Sequence, residues 1–322
     1  MSSLRKALVG LLVLGSLTVG NQILPAAAAG NPVELTSGFY VDPESNPANW
    51  VRDNPSHLDR TAIRTRISEK AGGKWFGNWN EDISDDVTAF TTAADNADKL
   101  PILVAYNIPG RDCGSHSQGG AGSVEAYKIW ISQFAAAIGS RPAVVIIEPD
   151  ALAQLDCFSL DEQEKRIDLL RYAVNELATK ATNTWTYMDG GNATWIDAAE
   201  MARRLQRVEV NKIRGFALNT SNYFTTAQSV TKGNAIRGAL TSPAQFVIDT
   251  SRNGNGSNGQ WCNPVGRKLG DTSRDGSHVS STVDMLLWIK VPGDSDGPCG
   301  LGEPDAVPAG TFSPKLAKPL LP

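Results

Sequence analysis

Acidic side chains stand at the ends of several apolar, β-branched stretches of this sequence. In VVIIEPD (144–150), Glu148 and Asp150 directly follow a run of Val and Ile. Ionised carboxylates are costly to bury unless they are paired or hydrogen-bonded. Similar stretches later in the chain also end in acids: Asp189, Asp249 and Asp294. Acids at successive strand ends therefore predict a polar site at one edge of a sheet.

Two carboxylic acids that face each other across a cleft have the chemistry needed to hydrolyse a glycosidic bond. One acid stays protonated and donates to the leaving oxygen, while the other assists water or acts as the nucleophile. Burial and neighbouring carboxylates raise the pKa of the donor, which favours acids in clusters. Asp150 alone is equally compatible with a helix N-cap, so the hypothesis depends on the whole set.

The elements that position these acids alternate between strand-like and helix-like patterns. Apolar residues three to four positions apart predict helices over 82–99, 123–138, 159–180 and 195–208. Ser159 and Glu162 have the spacing of a capping box at the start of the third helix. The strand-like stretches are GFYV (38–41), KWFGNW (74–79), PILVAYN (101–107), AVVIIEPD (143–150), TWTYMDG (184–190), IRGFALNTS (213–221), QFVIDTSR (245–252) and MLLWIKVPGD (285–294).

This alternation predicts a parallel α/β sheet, and about seven such units predict a barrel. In a β/α barrel, the active site lies at the carboxyl ends of the strands. Polar residues other than acids also occur at the predicted ends, among them Tyr106, Asn219 and Lys290. The strand-end side chains are therefore expected to converge on one mouth of the barrel.

Seven motifs in chain order resemble glycoside hydrolase family 6, the inverting β-1,4-glucanases. Their order matches over nearly all of the chain beyond residue 29. The resemblance implies a distorted (β/α) barrel of parallel strands, with fewer than eight barrel strands and an active-site cleft at their carboxyl ends. The motifs are YNIPGRDCGSHSQGG (106–120), VVIIEPD (144–150), DGGNATW (189–195), LNTSNY (218–223), VIDTSRNGNG (247–256), WCNPVGR (261–267) and LLWIKVPGDSDG (286–297).

The resemblance implies catalytic roles for four residues. Asp150 matches the general acid, and Asp112 matches the Asp that raises the pKa of the acid and helps to organise the catalytic water. Tyr106 matches the Tyr beneath the sugar ring at the cleavage point. Asp296 matches the residue often proposed as the base, with a water relay to Asp112 as the alternative. An inverting reaction predicts that acid and base stand about 6.5–9.5 Å apart.

Two of these acids also have simpler interpretations when they are taken alone. Asp112 is compatible with an ion pair to its neighbour Arg111. Asp296 lies between Ser and Gly, as a turn residue commonly does.

Aromatic and polar residues of the same motifs predict the sugar-binding surface. Pyranose rings present apolar CH faces that pack on indole rings. Trp75, Trp195 and Trp261 match tryptophans that line the cleft in the family, whereas Trp288 is interpreted as a core residue. The polar residues assigned to substrate binding are Asp189, Lys290 and Asp294, by their match to the family, and Asn219, as a strand-end residue.

Three positions depart from the usual pattern of the family. Asp294 stands where Glu is usual, Asn192 where His is usual, and Asn263 where the motif usually has Asp. These departures concern the affinity of subsites and the pH dependence rather than the reaction itself.

The first 29 residues are interpreted as a secretory signal peptide, because Arg5 and Lys6 precede a short apolar run and the segment PAAAAG. An even number of cysteines in an exported chain favours disulfides. Three pairings are possible, and sequence order suggests Cys113–Cys157 and Cys262–Cys299. There is no CxxC motif and the three histidines are scattered, so no metal site is predicted.

Residues 30–322 are predicted to form a single catalytic domain, with neither a Pro/Thr/Ser-rich linker nor a carbohydrate-binding module. The 34 acids outnumber the 30 Lys and Arg residues, which argues against a nucleic-acid partner. GNGSNG (254–259) has the spacing of a dinucleotide motif, but the QWCNP that follows is poor helix material. We expect no cofactor, no membrane attachment after cleavage of the signal peptide, and a secreted monomer whose partner is a β-1,4-glucan.

The compact chain favours an endoglucanase, because exo-acting members of the family carry long loops that roof the active site. The alternative is an exo-acting cellobiohydrolase of the same family. A non-catalytic β-glucan-binding protein is a less favoured alternative, since it would be expected to have lost the acid. A Ser-His-Asp esterase, the remaining alternative, requires a nucleophile elbow of the form G-x-S-x-G, and we expect none in this chain.

Overall fold

A single sheet of eight strands organises the protein, in the order β1-β2-β3-β4-β5-β6-β8-β7. The computed structural model describes residues 30–299 and 307–322, so the predicted signal peptide lies outside the described residues. The strands are β1 (Lys74–Phe76), β2 (Ile102–Ala105), β3 (Ala143–Ile147), β4 (Thr184–Asp189), β5 (Gly215–Leu218), β6 (Gln245–Asp249), β7 (Arg274–Asp275) and β8 (Val283–Leu287).

All neighbouring strands pair in parallel except β7, which is antiparallel to β8. Their carboxyl ends lie nearly level, since Ala105 pairs with Ile147 and Ile147 pairs with Met188. The loops that follow these strands therefore leave the sheet from one edge. This register brings residues from distant parts of the chain to a common site.

The sheet curls until its two sides approach each other. The Gly73 N–H, just before β1, donates to the Trp288 carbonyl, just after β8, at 2.8 Å. A Cβ on Gly73 would lie 2.6 Å from the Ile289 carbonyl oxygen, so the close approach requires glycine. Seven parallel strands thus form a distorted barrel, which confirms the expectation of fewer than eight barrel strands.

Helices cover the outer face of the sheet, and four of them correspond to the four predicted helices. The Ser159 N–H donates to the Glu162 carboxylate at 3.0 Å, as a capping box requires. The helices are α1 (Asn46–Asp53), α2 (Arg60–Ile63), α3 (Ile83–Asn96), α4 (Val124–Ile138), α5 (Leu160–Lys180), α6 (Ala198–Arg207), α7 (Thr226–Ala239) and α8 (Pro314–Ala317).

Several elements differ from the predictions, since β7 and the short helices α2 and α8 were not predicted. Two further differences concern GFYV and α7. The stretch GFYV (38–41) was predicted as a strand, but only Phe39 forms a parallel bridge, to Leu100. Helix α7 was not predicted, because its sequence is largely polar and contains two glycines. A cap from Thr225 to the Gln228 N–H was the available signal for its start.

The core has two layers, one inside the barrel and one between the sheet and the helices. Alternate residues of β2 illustrate the division, since Ile102 and Val104 belong to the inner layer and Leu103 and Ala105 to the outer. Both faces of a parallel strand are buried in this arrangement. This explains why the strands appear in the sequence as continuous apolar runs.

Candidate active site

A cavity of about 1000 Å³ opens at the carboxyl ends of the strands. The loops that leave this edge of the sheet supply most of its walls, and residues of the N-terminal segment supply the rest. Nine of the residues predicted for the site line it: Trp75, Tyr106, Asp112, Asp150, Trp195, Trp261, Lys290, Asp294 and Asp296. The structure therefore brings together residues that are up to 221 positions apart in the sequence.

Asp150 follows β3 in a left-handed conformation, with φ of 69°. Its N–H donates to Asp189 Oδ1 at 3.1 Å. Its own carboxyl accepts no hydrogen bond from any residue that the structure describes. Burial raises the pKa of this carboxyl well above its usual value, and the neighbouring charges of Asp189 and Asp112 raise it further. Burial and these neighbouring charges therefore favour the protonated form of Asp150.

Asp112 lies on the long loop that follows β2. Its Oδ2 accepts from the Ser117 N–H at 2.7 Å, and its Oδ1 accepts from Gln154 Nε2 at 3.3 Å. A disulfide joins the adjacent Cys113 to Cys157, on the segment that follows Asp150. The loop of Asp112 is thus tied to the segment of the acid by one covalent bond and one hydrogen bond.

Both disulfides that sequence order suggests are present. The second, Cys262–Cys299, joins the WCNPVGR segment to the loop that follows β8.

Arg111 does not pair with the neighbouring Asp112 among the described ion pairs. Its guanidinium instead donates to the Tyr106 carbonyl at 3.0 Å and to Asn78 Oδ1 at 2.9 Å. It also lies over the Tyr106 ring, 4.9 Å from the ring centre. Arg111 therefore supports the Tyr106 backbone and ring, and the Asp112 carboxylate remains available to the cavity.

Tyr106 is 6% exposed and packs edge-on against Trp75, with ring centres 5.2 Å apart. Burial raises the pKa of its hydroxyl well above the usual value, and the charges of Asp150 and Asp112 add to this effect. The hydroxyl therefore stays neutral beside the two acids.

Asp296 is surrounded by hydrogen-bond donors. Its Oδ2 accepts from Tyr223 Oη at 2.9 Å, from Arg252 Nη1 at 2.9 Å and from the Asn263 N–H at 3.0 Å. Its Oδ1 lies 3.5 Å from Lys290 Nζ. Burial alone would raise the pKa of Asp296, but the two cations outweigh burial and hold the pKa below its usual value. Asp296 is therefore a permanently ionised carboxylate.

Asn263, one of the three departures from the family pattern, supports Asp296 from the facing loop. Its Oδ1 accepts from the Asp296 N–H at 2.8 Å, and its Nδ2 donates to the Gly297 carbonyl at 2.9 Å. An aspartate at position 263 has no donor for that carbonyl. The amide thus suits the loop in this chain.

Lys290 and Asp294 lie on the loop that follows β8. Lys290 Nζ donates to the Ser295 carbonyl at 3.0 Å. Asp294 Oδ2 accepts from Asn46 Nδ2, at the start of α1, at 2.9 Å. The Asp side chain, which is shorter than the Glu usual in the family, is therefore hydrogen-bonded to α1. Burial raises the pKa of Asp294 to about 7.

Asp189 and Asn219 do not line the cavity, and both are fully buried. Asp189 Oδ1 accepts from the N–H groups of Asp150 and Gly191 at 3.1 and 2.9 Å. Asn219 Nδ2 donates to the Asp249 carbonyl at 2.8 Å. These positions, predicted to bind substrate, lie behind the cavity wall and hold backbone that supports it.

The acids at the strand ends thus fall into two groups, which sequence reasoning treated as one. Asp150 lines the cavity, whereas Glu148, Asp189 and Asp249 accept backbone N–H groups of neighbouring loops. Asp249 Oδ2 accepts from both the Ser221 and the Lys290 N–H groups at 3.0 Å. Acids that follow the apolar strands therefore either line the cavity or support the loops behind it.

The tryptophans separate clearly by exposure. Trp195 and Trp261 are 40% and 54% exposed within the cavity wall. Trp79, which sequence reasoning did not single out, is 51% exposed in the same wall and lies 5.0 Å from the Arg111 guanidinium. Trp288 is 1% exposed, as predicted for a core residue.

Sequence reasoning also missed Arg252 and Tyr223, the partners of Asp296. Both lie inside quoted motifs, VIDTSRNGNG and LNTSNY. Asn192, a further departure, accepts from the Trp195 N–H at 3.1 Å and so supports that tryptophan.

The expectation that the chain lacks a nucleophile elbow was wrong, because GDSDG (293–297) has that spacing. Ser295 is nevertheless not placed to act as a nucleophile. Ser295 is fully buried, and its hydroxyl donates to the Val307 carbonyl at 3.0 Å. The esterase alternative therefore finds no support in the structure. Across 30–299 and 307–322, no group of three or more His, Cys, Asp or Glu could hold a metal ion. The helices of the same ranges are all too short or too polar to span a membrane.

Comparisons with known proteins agree with this site. The model of the family described as "Glycosyl hydrolases family 6" matches residues 36–321. Endoglucanase 1 of Streptomyces halstedii is 46% identical over 318 residues, which cover 97% of each chain. Endoglucanase A of Thermobispora bispora is 40% identical over 92% of this chain, which spans 66% of that relative's length.

A solved structure gives the same result for the fold. It is the endoglucanase Cel6 from Mycobacterium tuberculosis in complex with methyl-cellobiosyl-4-deoxy-4-thio-β-D-cellobioside. The two chains are 39% identical, with a TM-score of 0.82 and with 91% of this chain and 98% of that chain covered. Because the family model matches almost the whole chain and the relatives cover it at up to 46% identity, this protein belongs to glycosyl hydrolase family 6.

Proposed function

We propose that this protein is an endo-β-1,4-glucanase that hydrolyses internal bonds of cellulose or a related soluble β-glucan with inversion. The observation that carries the proposal is the environment of Asp150. Its carboxyl lines the cavity, has no hydrogen-bond partner among the described residues, and favours the protonated form because burial and neighbouring carboxylates raise its pKa. A carboxylic acid in this state is what protonation of a leaving oxygen requires.

The reaction follows from the positions of the acids. Asp150 donates its proton to the glycosidic oxygen, and the bond from that oxygen to the anomeric carbon breaks. A water molecule attacks the anomeric carbon from the opposite face and loses a proton to a carboxylate. The products are two shorter glucans, one with an inverted anomeric centre, and Asp150 regains a proton from solvent.

We assign the base function to Asp112, acting through water, rather than to Asp296. A base needs a free lone pair and a pKa high enough to accept a proton. Asp296 has an ion pair with Arg252 at 2.9 Å and a lowered pKa, so it is a poor proton acceptor. Asp112 lines the cavity, and its hydrogen bonds among the described residues come from the Ser117 N–H and Gln154 Nε2 rather than from a cation.

Substrate binding falls to the aromatic and polar residues of the cavity wall. The exposed faces of Trp79, Trp195 and Trp261 offer apolar platforms to pyranose rings. Lys290 and Asp294 supply a donor and an acceptor for sugar hydroxyl groups. Asp189 and Asn219, both fully buried, act behind this surface.

The endo mode is proposed because the relatives with 46% and 40% identity are both named endoglucanases. An exo-acting cellobiohydrolase would release a different pattern of products from an endoglucanase, so the two modes can be distinguished by measuring those products. We also propose that the protein acts as a secreted monomer after removal of residues 1–29. The two disulfides agree with an oxidising compartment, and the mass of the exported protein in solution is the corresponding test.

The test follows viscosity and reducing ends together on carboxymethylcellulose. The endo mode predicts a rapid fall in viscosity per new reducing end, whereas slow viscosity loss with cellobiose release would support the exo alternative. Asp150→Asn is expected to lower turnover by about 10³-fold, in the range for loss of a general acid. Asp161→Asn, at an exposed position in the first turn of α5, is the matched control and should leave activity unchanged. Near wild-type activity of Asp150→Asn would overturn the assignment.

A further inference from the structure

We propose that Glu148 and Arg166 form a clamp that positions the loop of Tyr106 and Asp112 by binding its backbone from behind. The two are positioning residues, since neither lines the cavity. The inference rests on the proposed function, because Tyr106 and Asp112 have catalytic roles only if the protein is a glucanase.

Glu148 directly follows β3 and is fully buried. Its carboxylate accepts from the N–H of Asn107 at 3.0 Å and from the N–H of Ile108 at 3.0 Å. These are the first two residues after Tyr106. A single side chain thus satisfies the backbone donors at the point where the loop leaves the sheet.

Arg166 holds the same loop two residues further on. It lies on α5, is 4% exposed, and donates from Nη2 to the Gly110 carbonyl at 2.8 Å. Its guanidinium also packs over the Phe158 ring, 4.2 Å from the ring centre, which limits its freedom. Asp112 follows Gly110 by two residues, so the clamp ends next to the proposed base.

The two ends of the clamp have opposite charge because they bind opposite backbone groups. An anion binds the N–H groups of 107 and 108, and a cation binds the carbonyl of 110. Hydrogen bonds to charged partners are roughly twice as strong as those between neutral groups. Burial of a carboxylate is otherwise costly, so the loop contacts give a reason for an acid at this position.

Charged and titratable groups from several elements face Glu148. Tyr127 of α4 and Arg166 of α5 lie on the helix side, and Tyr106 and Arg111 lie on the loop side. Burial raises the pKa of Glu148 to about 7, against the opposing effects of the two backbone N–H groups and of Arg166. Protonation replaces an acceptor by a donor, so the clamp weakens as the pH falls below about 7.

A second cluster of the same composition provides a matched control. Asp284 accepts from Tyr187 Oη at 2.8 Å and from Arg214 Nε at 2.7 Å. Asp284 is the second residue of β8 and lies toward the opposite end of the barrel. This cluster binds side chains only, with no backbone group of an active-site loop among its described partners.

The experiment compares Glu148→Gln, Arg166→Met, Arg166→Lys and Asp284→Asn in the full chain. Turnover number and KM on a soluble glucan, thermal stability, and hydrogen exchange of the Asn107 and Ile108 amides are measured for each. Glu148→Gln and Arg166→Met should lower kcat roughly 10- to 100-fold, as misplacement of reacting groups does, with KM changed less than about 2-fold. Arg166→Lys keeps a donor and should recover part of the loss.

The amides of Asn107 and Ile108 should lose protection from exchange in Glu148→Gln but keep it in Asp284→Asn. Asp284→Asn should lower thermal stability and leave kcat unchanged. An unchanged kcat and unchanged amide protection in a folded Glu148→Gln would overturn the clamp, as would an equal loss of kcat in Asp284→Asn. If Glu148→Gln does not fold, the comparison of Arg166→Met with Arg166→Lys still tests the clamp. Equal kcat values in wild type and Arg166→Met would overturn it.

The exchange measurement separates this inference from the proposed function. It needs no substrate and reports only whether Glu148 holds the loop. Absence of glucanase activity in the wild type, with protection lost in Glu148→Gln, would contradict the function and retain the loop contact. Glucanase activity in the wild type, with amide protection unchanged in Glu148→Gln, would support the function and contradict the loop contact.

Discussion

The two ends of the barrel bury carboxylates in different ways. Toward the amino-terminal end of its strand, Asp284 is satisfied by the side chains of Tyr187 and Arg214. At the carboxyl edge, Glu148, Asp189 and Asp249 accept backbone N–H groups of the loops. A carboxylate satisfied by side chains stabilises the scaffold, whereas one satisfied by backbone also decides where a loop runs. The buried carboxylates at the carboxyl edge therefore help to fix the positions of the loops that form the site.

A third kind of carboxylate sharpens this comparison within the cavity itself. Asp296 is held by two cations and three hydrogen bonds, while Asp150 accepts none from the described residues. The two have opposite pKa shifts although both line the same cavity. Partners, and not burial alone, decide which acid keeps its proton.

The largest difference is expected between Asp112→Asn and Asp296→Asn. Asp112→Asn should lower kcat by about 10²-fold or more, since a proton acceptor is lost, and should leave stability nearly unchanged. Asp296→Asn leaves Arg252 and Lys290 without their anion and should lower the free energy of unfolding by about 3 kcal/mol. Steady-state kinetics and urea unfolding measure the two effects. Wild-type turnover in Asp112→Asn, or unchanged stability in Asp296→Asn, would break the distinction.

The next prediction concerns pH and stability. The pKa values of Glu148, Asp189 and Asp294 are raised to about 7, 6 and 7, chiefly by burial. A raised pKa in the folded state means that the stability contribution is complete below the unfolded pKa, near 4, and is lost as the pH rises. The melting temperature should therefore fall between pH 5 and pH 8, even though the clamp needs an ionised Glu148.

Glu148→Gln offers the control for that prediction. It removes one group whose pKa is raised to about 7 by burial, and should therefore reduce the loss of stability over this pH range by about 3 kcal/mol. Thermal unfolding of both proteins at several pH values measures the difference. Parallel curves for the two proteins would contradict the assignment of the raised pKa to Glu148.

The smallest effect is expected at the exposed aromatic face. Trp79→Ala should raise KM for a soluble glucan roughly 3- to 10-fold, as loss of one aromatic contact of about 0.5–1.5 kcal/mol does. Stability should change little, because half of the side chain is already in solvent. Leu58→Ala, at a position 98% exposed and not among the cavity-lining residues, is the control for loss of an exposed apolar side chain. An equal KM in the two variants would remove Trp79 from the binding surface.

Much of the fold was predictable because local patterns and burial agree. Continuous apolar runs mark seven of the eight strands, since each is covered on both faces. The four amphipathic helices appear at their predicted places, and both disulfides follow sequence order. GFYV was wrongly predicted as a strand, because it forms only a single parallel bridge, between Phe39 and Leu100.

The sequence predicted which residues form the site, but not what each of them contacts there. Motif order located Asp150, Asp112, Tyr106 and Asp296, and the cavity includes all four. Trp79 was overlooked because it is the last residue of the strand-like stretch KWFGNW, although β1 itself ends at Phe76. Arg252 was missed because nothing in the sequence around a single basic residue after a strand indicates that it pairs with Asp296.

The amino-acid sequence by itself determined the strand rhythm, the family motifs and the residue types available at the carboxyl edge. Only the tertiary structure decided which of those acids has a raised pKa in the cavity, which is paired with cations and which accepts hydrogen bonds from backbone. The physical reason is that the pKa of a carboxyl depends on burial, nearby charge and hydrogen bonds. Those are supplied by residues such as Arg252, Lys290 and Ser221, which are distant in sequence and meet only when the barrel closes.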